Sequence, residues 1–320
     1  MEKENVENVI IIGSGPAGLS AAIYTSREGF NPLVISGAAA GGQLELTTVV
    51  ENYPGFPEGV DGPALMEKIM KQAERFGTRF VGDDVSSVDF SARPFKITVG
   101  EDTYKAKCVI IATGAKAKTL GIPSEAKFMG RGISTCATCD GAFYRGKDVI
   151  VVGGGDTAME DSLFLTRFAN SVTIVHRRDA FKASKVMAER VLTNSKIKVM
   201  WNTTIEDVIG DALVTGARLK NTQDGSTNEV MIDGVFMAIG YEPNSKIFSG
   251  QLMLDEQGYI ITKKDVETDI EGVFVAGDVT DRFYRQAATA SGSGVKAALK
   301  AREYLSELGY EENKKEKTSV

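Results

Sequence analysis

The sequence predicts an α/β protein made of two Rossmann-like nucleotide-binding units, the second inserted into the first. Three observations carry this. The apolar run Val9-Ile10-Ile11-Ile12 breaks at Gly13-Ser14-Gly15-Pro16-Ala17-Gly18 and resumes as a small-residue helical stretch from Leu19 to Tyr24. The same order recurs where Val149-Ile150-Val151-Val152 meets Gly153-Gly154-Gly155-Asp156-Thr157-Ala158, and a later strand of each repeat ends alike, in Ala112-Thr113-Gly114 and Ala238-Ile239-Gly240; one supersecondary unit is repeated. A third strand, Gly272-Val273-Phe274-Val275-Ala276-Gly277-Asp278, has no counterpart in the second repeat, so it is expected to return to the first and make that domain discontinuous.

In the first repeat the glycines have separable uses. The first permits a tight turn, the second lets a pyrophosphate approach the backbone, and the third lets helix pack on strand, while the helix dipole favours the anion. The next strand, 31–35, ends in Ser36-Gly37, without an Asp or Glu to grip a ribose. Gly41-Gly42-Gln43-Leu44 and Asn52-Tyr53-Pro54-Gly55-Phe56-Pro57 form a long connection of the kind that usually has a function. Helical spacing over 63–76 makes Leu65, Met66, Ile69, Met70, Ala73 and Phe76 core residues. Strands follow over 79–85, 95–99 and 108–112, with Cys108 as a small buried apolar residue.

In the second repeat His176 stands to Gly153 as Ser36 stands to Gly13, and it opens His176-Arg177-Arg178-Asp179. Guanidiniums at the ribose-reading position suit a 2'-phosphate, and Lys182 adds a third charge. Ahead of this repeat lies Cys136-Ala137-Thr138-Cys139-Asp140. Two thiols so spaced can close a small disulfide ring, and an adjacent carboxylate can hand a proton to the thiolate released. Alone, the pair reads equally well as half a zinc site. The chain has only three cysteines and one histidine, and Cys108 and His176 have other places, so no metal is expected. A dithiol beside a nucleotide turn suggests electron transfer.

At 320 residues and 42% hydrophobic content, the chain has about two domains' worth of core. A net charge of −6 with both signs interspersed offers no basic stripe to nucleic acid or an anionic membrane. The start, Met1-Glu2-Lys3-Glu4-Asn5, lacks the features of a secretory signal, no apolar run approaches membrane-spanning length, and few cysteines argue against a structural disulfide framework. The lysine-rich tail from Glu311 to Val320 is expected to carry no chemistry.

Taken in one order, the two glycine turns, the strand ends, Cys-Ala-Thr-Cys-Asp and His-Arg-Arg resemble the low-molecular-weight thioredoxin reductases, from about Val9 to Leu308. The specific feature is a dithiol immediately before the second turn. In the glutathione-reductase-like relatives the redox pair lies in the flavin domain and a histidine serves as base. The resemblance implies a cytoplasmic, homodimeric, NADPH-dependent thioredoxin-disulfide reductase, with FAD in residues 1–117 and 246–320 and NADPH in 118–245. It places Gly13, Ser14, Gly15, Pro16, Ala17 and Gly18 at the FAD pyrophosphate. Ser36, Gly37, Gly41, Gly42, Gln43, Leu44 and Asn52 surround the adenosine and flavin, with the strand end Ala112, Thr113, Gly114. Gly277, Asp278, Arg285, Gln286 and Ala287 lie at the ribityl and isoalloxazine end. For NADPH it implies Gly153, Gly155, Asp156 and Thr157 at the pyrophosphate and His176, Arg177, Arg178 and Lys182 at the 2'-phosphate.

The implied route is hydride from NADPH to FAD, electrons to a Cys136–Cys139 disulfide, then dithiol exchange with thioredoxin. Cys139 would face the flavin, Cys136 would attack the partner, and Asp140 would supply or accept the proton, its pKa raised by burial. Because dithiol and nicotinamide share one domain, that domain is expected to rotate on connections at 116–119 and 243–246. Lys182 stands where some relatives have arginine, and Gly141-Ala142-Phe143-Tyr144 has one aromatic fewer than some; the acceptor would meet the surface around Arg131, Phe143 and Tyr144. Two rivals remain: a reductase with these cofactors and another acceptor, and a colourless nucleotide-sensing regulator whose Cys-x-x-Cys staples a metal.

Overall fold

The computed structural model describes residues 6–47 and 49–309; the opening Met1–Asn5 and the tail from Glu311 lie outside the described residues. The chain forms two compact units, one holding the described residues up to Lys116 together with those from Glu242, the other Ala117–Tyr241. The first runs β1 (Val6–Ile12), α1 (Pro16–Arg27), β2 (Leu33–Ile35), α2 (Gly62–Arg75), β3 (Arg79–Val81), β4 (Val85–Asp89), β5 (Phe95–Val99) and β6 (Asp102–Ile111). The second holds β7 (Ile133–Ser134), α3 (Ala137–Asp140), β8 (Asp148–Gly153), α4 (Asp156–Leu165), β9 (Ser171–Val175), α5 (Lys185–Leu192) and β10 (Ile197–Met200). It continues through β11 (Thr203–Gly210), β12 (Val214–Asn221), β13 (Thr227–Met231) and β14 (Gly234–Ala238), before the chain re-enters the first unit for β15 (Val273–Val275) and α6 (Ala287–Glu307).

The sheet of the first unit has the order β3-β2-β1-β6-β5-β4, with β15 added to β6. β6 is long enough to serve two kinds of neighbour: Asp102–Ala106 pairs antiparallel with β5, and Val109–Ile111 pairs parallel with β15. Both faces of β1 are buried, Val9 and Ile11 in the cluster under α1, α2 and α6, Ile10 and Ile12 in the one holding Phe95, Ile97 and Val273. This explains why β1 reads as a continuous apolar run rather than an alternating one. α1 starts at Pro16, where a missing N–H costs nothing, and α2 is capped by Asp61, whose Oδ1 accepts from the Ala64 N–H at 3.1 Å. Small residues let α6 lie on α1: a Cβ at Gly294 would be driven into the Ala17 carbonyl.

The second unit repeats the plan in a parallel sheet of order β7-β14-β8-β9-β10, with Val149 and Val151 facing one core and Ile150 and Val152 the other. It adds an antiparallel β11-β12-β13 sheet that the sequence reading did not single out. The strand expected over 79–85 is two strands, because the chain turns at 82–84. The second crossing falls at Tyr241 rather than after Ser245. Asn244 and Ser245 already bond within the first unit, the Asn244 N–H and Nδ2 donating to Gly114 and Thr113 carbonyls and Ser245 Oγ to Gly258. The crossing segments, Ala115–Ala117 and Tyr241–Pro243, pair with each other. No helix among the described residues is long and apolar enough to cross a membrane.

Candidate functional site

Steric contact builds each glycine turn. Gly13 has φ +108°, and a Cβ there would be driven into the Ala112 carbonyl; one at Gly18 would enter the Gly13 carbonyl. Gly15 differs. It has φ −70° and nothing within 4 Å, so its missing side chain serves no internal contact and leaves the turn open at the α1 N-terminus, where N–H groups and dipole favour an anion.

Around this opening the structure gathers residues far apart in sequence. Ser14 Oγ donates to the Ser36 carbonyl at 3.0 Å and accepts from the Gly41 N–H at 3.0 Å, and Ser36 Oγ donates to Val81 O at 3.1 Å. Gly42 lies against Gly15, and Gln43 and Leu44 sit in the one-turn helix Gly42–Leu46. Beyond Ser36 and Gly37, the Ala38 N–H donates to Asp84 Oδ1 at 3.1 Å. A carboxylate absent from the end of β2 is thus supplied by the turn between β3 and β4, which sequence spacing could not show. Asn52 Nδ2 donates to Gln286 Oε1 at 3.1 Å, just before Ala287 opens α6. Thr113 Oγ1 donates to Asn244 O, leaving Gly114, at φ +68°, open.

Gly277 has φ +77°; its N–H donates to Ser293 Oγ at 2.8 Å, and a Cβ would press on Ala17. Next to it, Asp278 keeps one carboxylate oxygen buried without a hydrogen-bond partner. Burial pushes its pKa up to about 6, with Asp281 adding to the rise and Arg285 opposing it. A buried acceptor left unpaired is costly, and a hydroxyl-bearing ligand would satisfy it. With the open Gly15 and Gly114 faces, these residues fit a dinucleotide carrying a polyol, as FAD does.

In the second unit a Cβ at Gly153 would press on the Ala238 carbonyl, and Gly155 again has nothing within 4 Å, before the α4 N-terminus. Asp156 is turned away to α5, its Oδ1 accepting from the Ser184 N–H and Oγ, each at 2.9 Å, while Thr157 is exposed. His176 is buried: its Nε2–H donates to Ala180 O at 2.9 Å and its ring lies against Phe181 and Trp201. Its contribution is therefore to hold the turn, while Arg177, Arg178 and Lys182 are exposed. The Lys182 N–H is fixed to Gly154 O at 2.7 Å.

The two thiols are joined: Cys136 and Cys139 form a disulfide with Cα atoms 5.3 Å apart. Cys136 caps α3, and its Sγ accepts from the Cys139 N–H at 3.2 Å and lies 3.4 Å from Thr138 Oγ1. Asp140 follows at the last position of α3; burial raises its pKa, and a hydrogen bond from Ser134 works against the rise. Two further contacts were not legible in the sequence. The Cys136 N–H donates to Ser134 Oγ at 3.0 Å, and the Tyr241 hydroxyl donates to Thr135 O at 2.7 Å, more than a hundred residues from its own place in the chain. The surface expected around Arg131, Phe143 and Tyr144 loses one member. Arg131 and Phe143 are exposed, but the Tyr144 ring occupies the space a side chain at Gly234 would need and packs edge-on against Phe236. Cys108 is buried in β6, which pushes its thiol pKa far up and leaves it inert. Among the described residues no cluster of three His, Cys, Asp or Glu could hold a metal.

Comparison with known proteins agrees with this geometry. Residues 7–294 match the family described as "Pyridine nucleotide-disulphide oxidoreductase". Thioredoxin reductase of Rickettsia conorii is 52% identical over 302 residues, 93% of this chain and 97% of that protein. Among solved structures, thioredoxin reductase from Giardia duodenalis superposes with a TM-score of 0.89 at 43% identity, over 93% of this chain and 98% of that one. The enzyme from Streptococcus pyogenes gives 0.91 at 37%, over 95% and 100%.

Proposed function

The chain belongs to the thioredoxin reductases, within the pyridine nucleotide-disulphide oxidoreductases, and from that premise we propose how its own residues divide the work. The family's FAD and NAD(P)H supply the two electrons that open the Cys136–Cys139 disulfide, and thioredoxin is the substrate. The first unit would hold FAD, with the Gly13–Gly18 turn at the pyrophosphate and the unpaired Asp278 oxygen available to a hydroxyl of its polyol. The second holds the nicotinamide nucleotide, and the exposed Arg177 and Arg178 select NADPH by its 2'-phosphate, aided by Lys182.

Once reduced, Cys136 is the attacking sulfur, because its Sγ already receives the Cys139 N–H and thus has support for a thiolate. Cys136 Sγ bonds to one thioredoxin sulfur and the thioredoxin disulfide breaks; the departing sulfur takes the proton of Asp140. The Asp140 carboxylate then takes the proton of Cys139, whose thiolate attacks Cys136 Sγ. That closes the ring and frees the second thioredoxin sulfur, which receives the same proton. Two electrons leave the pair and two protons go with them.

The observation that carries this reading is a closed Cys136–Cys139 disulfide followed at once by a carboxyl that burial keeps protonated to higher pH. Its test is Cys139→Ser in the full chain, read by visible absorption and by NADPH-dependent thioredoxin reduction. The variant should keep its yellow flavin and lose thioredoxin reduction; retained reduction overturns the assignment. The homodimer and the cytoplasmic setting belong to the same proposal and rest on family resemblance alone; sedimentation and cell fractionation read them.

A further inference from the structure

Two donors meet on one sulfur. Cys136 Sγ accepts the Cys139 N–H at 3.2 Å, and Thr138 Oγ1 lies 3.4 Å from it. With the disulfide closed, Cys136 carries no S–H, so in the second contact the hydroxyl is the donor and the sulfur the acceptor. Thr138 stands inside the ring that the disulfide closes, at the second position of α3, and its β-branched side chain has little freedom at χ1. The hydroxyl is therefore aimed at the sulfur before an acceptor protein arrives. A neutral disulfide sulfur is a weak acceptor, whereas a thiolate is charged, and hydrogen bonds to charged groups are the stronger. The same contact is worth more after reduction than before it.

We propose that Thr138 is a further catalytic residue of the exchange: its hydroxyl, with the Cys139 N–H, holds Cys136 Sγ as the thiolate that attacks the acceptor disulfide. This rests on the assignment of Cys136 as the attacking sulfur. Thr138 donates a hydrogen bond and transfers no proton, so the balance of the exchange is unchanged. The elements packed most closely on α3 supply no cation for the purpose. Beside Asp140 on α3 itself, the 141–144 turn carries Tyr144, and α4 carries Asp156, Glu160 and Asp161. Arg145, just beyond the turn, lies over the Phe168 ring. Thr138 is exposed, so water competes for the sulfur in the free protein. A docked acceptor excludes that water and leaves the hydroxyl as the donor.

The test uses the full-length, flavin-loaded Cys139→Ser protein, in which Cys136 is the one thiol left outside the core, Cys108 being buried. Iodoacetamide loses its iodide to the Cys136 sulfur at a rate that follows the thiolate fraction, so a pH series gives a midpoint, and mass spectrometry places the label. Adding Thr138→Val, which keeps the shape and removes the hydroxyl, should raise that midpoint by about half a pH unit to one unit; Thr138→Ser should return it. In the chain with both thiols, Thr138→Val should lower thioredoxin reduction at neutral pH about threefold to tenfold, with flavin content unchanged. A rate lowered equally at every pH, with the midpoint unmoved or not returned by Thr138→Ser, marks a merely structural residue and overturns the proposal. The assignment beneath it is read separately, with a one-cysteine thioredoxin activated as its mixed disulfide with thionitrobenzoate. Cys139→Ser should release thionitrobenzoate faster than Cys136→Ser does. If Cys136→Ser is the faster, the reading of the exchange fails and takes the proposal with it; if Cys139→Ser is the faster while the midpoint stays put, only the role of Thr138 fails.

Discussion

The two glycine turns close alike and open differently. Gly13 and Gly153 each lack a Cβ for the same reason, the carbonyl of an alanine at a neighbouring strand's carboxyl end, Ala112 just past β6 in one unit and Ala238 at the end of β14 in the other. The next residue is where they part. Ser14 bonds to Ser36 and to Gly41, whereas Gly154, by having no side chain, makes room for the His176 ring and takes the Lys182 N–H on its carbonyl. The residue after the first glycine and the one 23 places beyond that glycine touch in both repeats, by a hydroxyl in the first unit and by a buried ring in the second. The difference is local: Ser14 meets a second strand that ends in a short serine, whereas Gly154 leaves room for a packed histidine followed by two exposed arginines.

The comparison can be broken most severely at the glycines that steric contact demands. Gly18→Ala drives a methyl into the Gly13 carbonyl and should destabilise the first unit by about 3 kcal/mol or more, with loss of flavin, read by thermal unfolding and visible absorption. Gly15→Ala, where space is open, should leave unfolding nearly unchanged yet weaken FAD binding. Equal effects of the two would refute the division of roles. Next, Gly154→Ala should cost about 2 kcal/mol by displacing the His176 ring, and His176→Ala in the same chain should recover part of it, a coupling that a double-mutant cycle measures. Additive losses would show that the two positions do not meet.

Arg177→Ala together with Arg178→Ala should lower kcat/KM for NADPH roughly thirtyfold to several-hundredfold while leaving NADH almost untouched, since each lost guanidinium–phosphate contact is worth about 1–2 kcal/mol. An equal loss for both nucleotides would remove the arginines from the 2'-phosphate. The smallest effect is expected at Asp278. Its pKa is about 6 in the fold against 3.8 for an ordinary Asp, so the folded flavin-free protein binds the extra proton and loses stability as pH rises from about 4 through 6. Asp278→Asn should flatten that slope and weaken flavin binding. Calorimetry of the flavin-free protein at several pH values would show it, and an unchanged slope would mean the carboxyl is not what titrates.

Much of the site was legible because its logic is local. A strand, a glycine turn and a helix lie within a few residues of one another, and so do Cys136, Cys139 and Asp140. Side-chain direction was not legible in the same way. His176 reads in sequence as part of a basic cluster, yet its ring is spent inside the fold; Tyr144 reads as surface and is buried because Gly234, on a distant strand, leaves it room. Asp84 and Tyr241 carried no signal, since each acts on a segment that is distant in the chain and brought near only by the fold.

By itself the sequence determined the repeat, the places where no side chain can stand, and the spacing that lets two sulfurs join. These depend on contacts between near neighbours, which apolar period and glycine position record directly. Only the tertiary structure decided which hydroxyls hold the dithiol turn, which carboxylate meets the end of β2, and that the chain leaves the inserted unit at Tyr241. Those outcomes depend on parallel pairings between strands far apart in the chain, and such pairings are settled by burial of both sheet faces together rather than by any local preference.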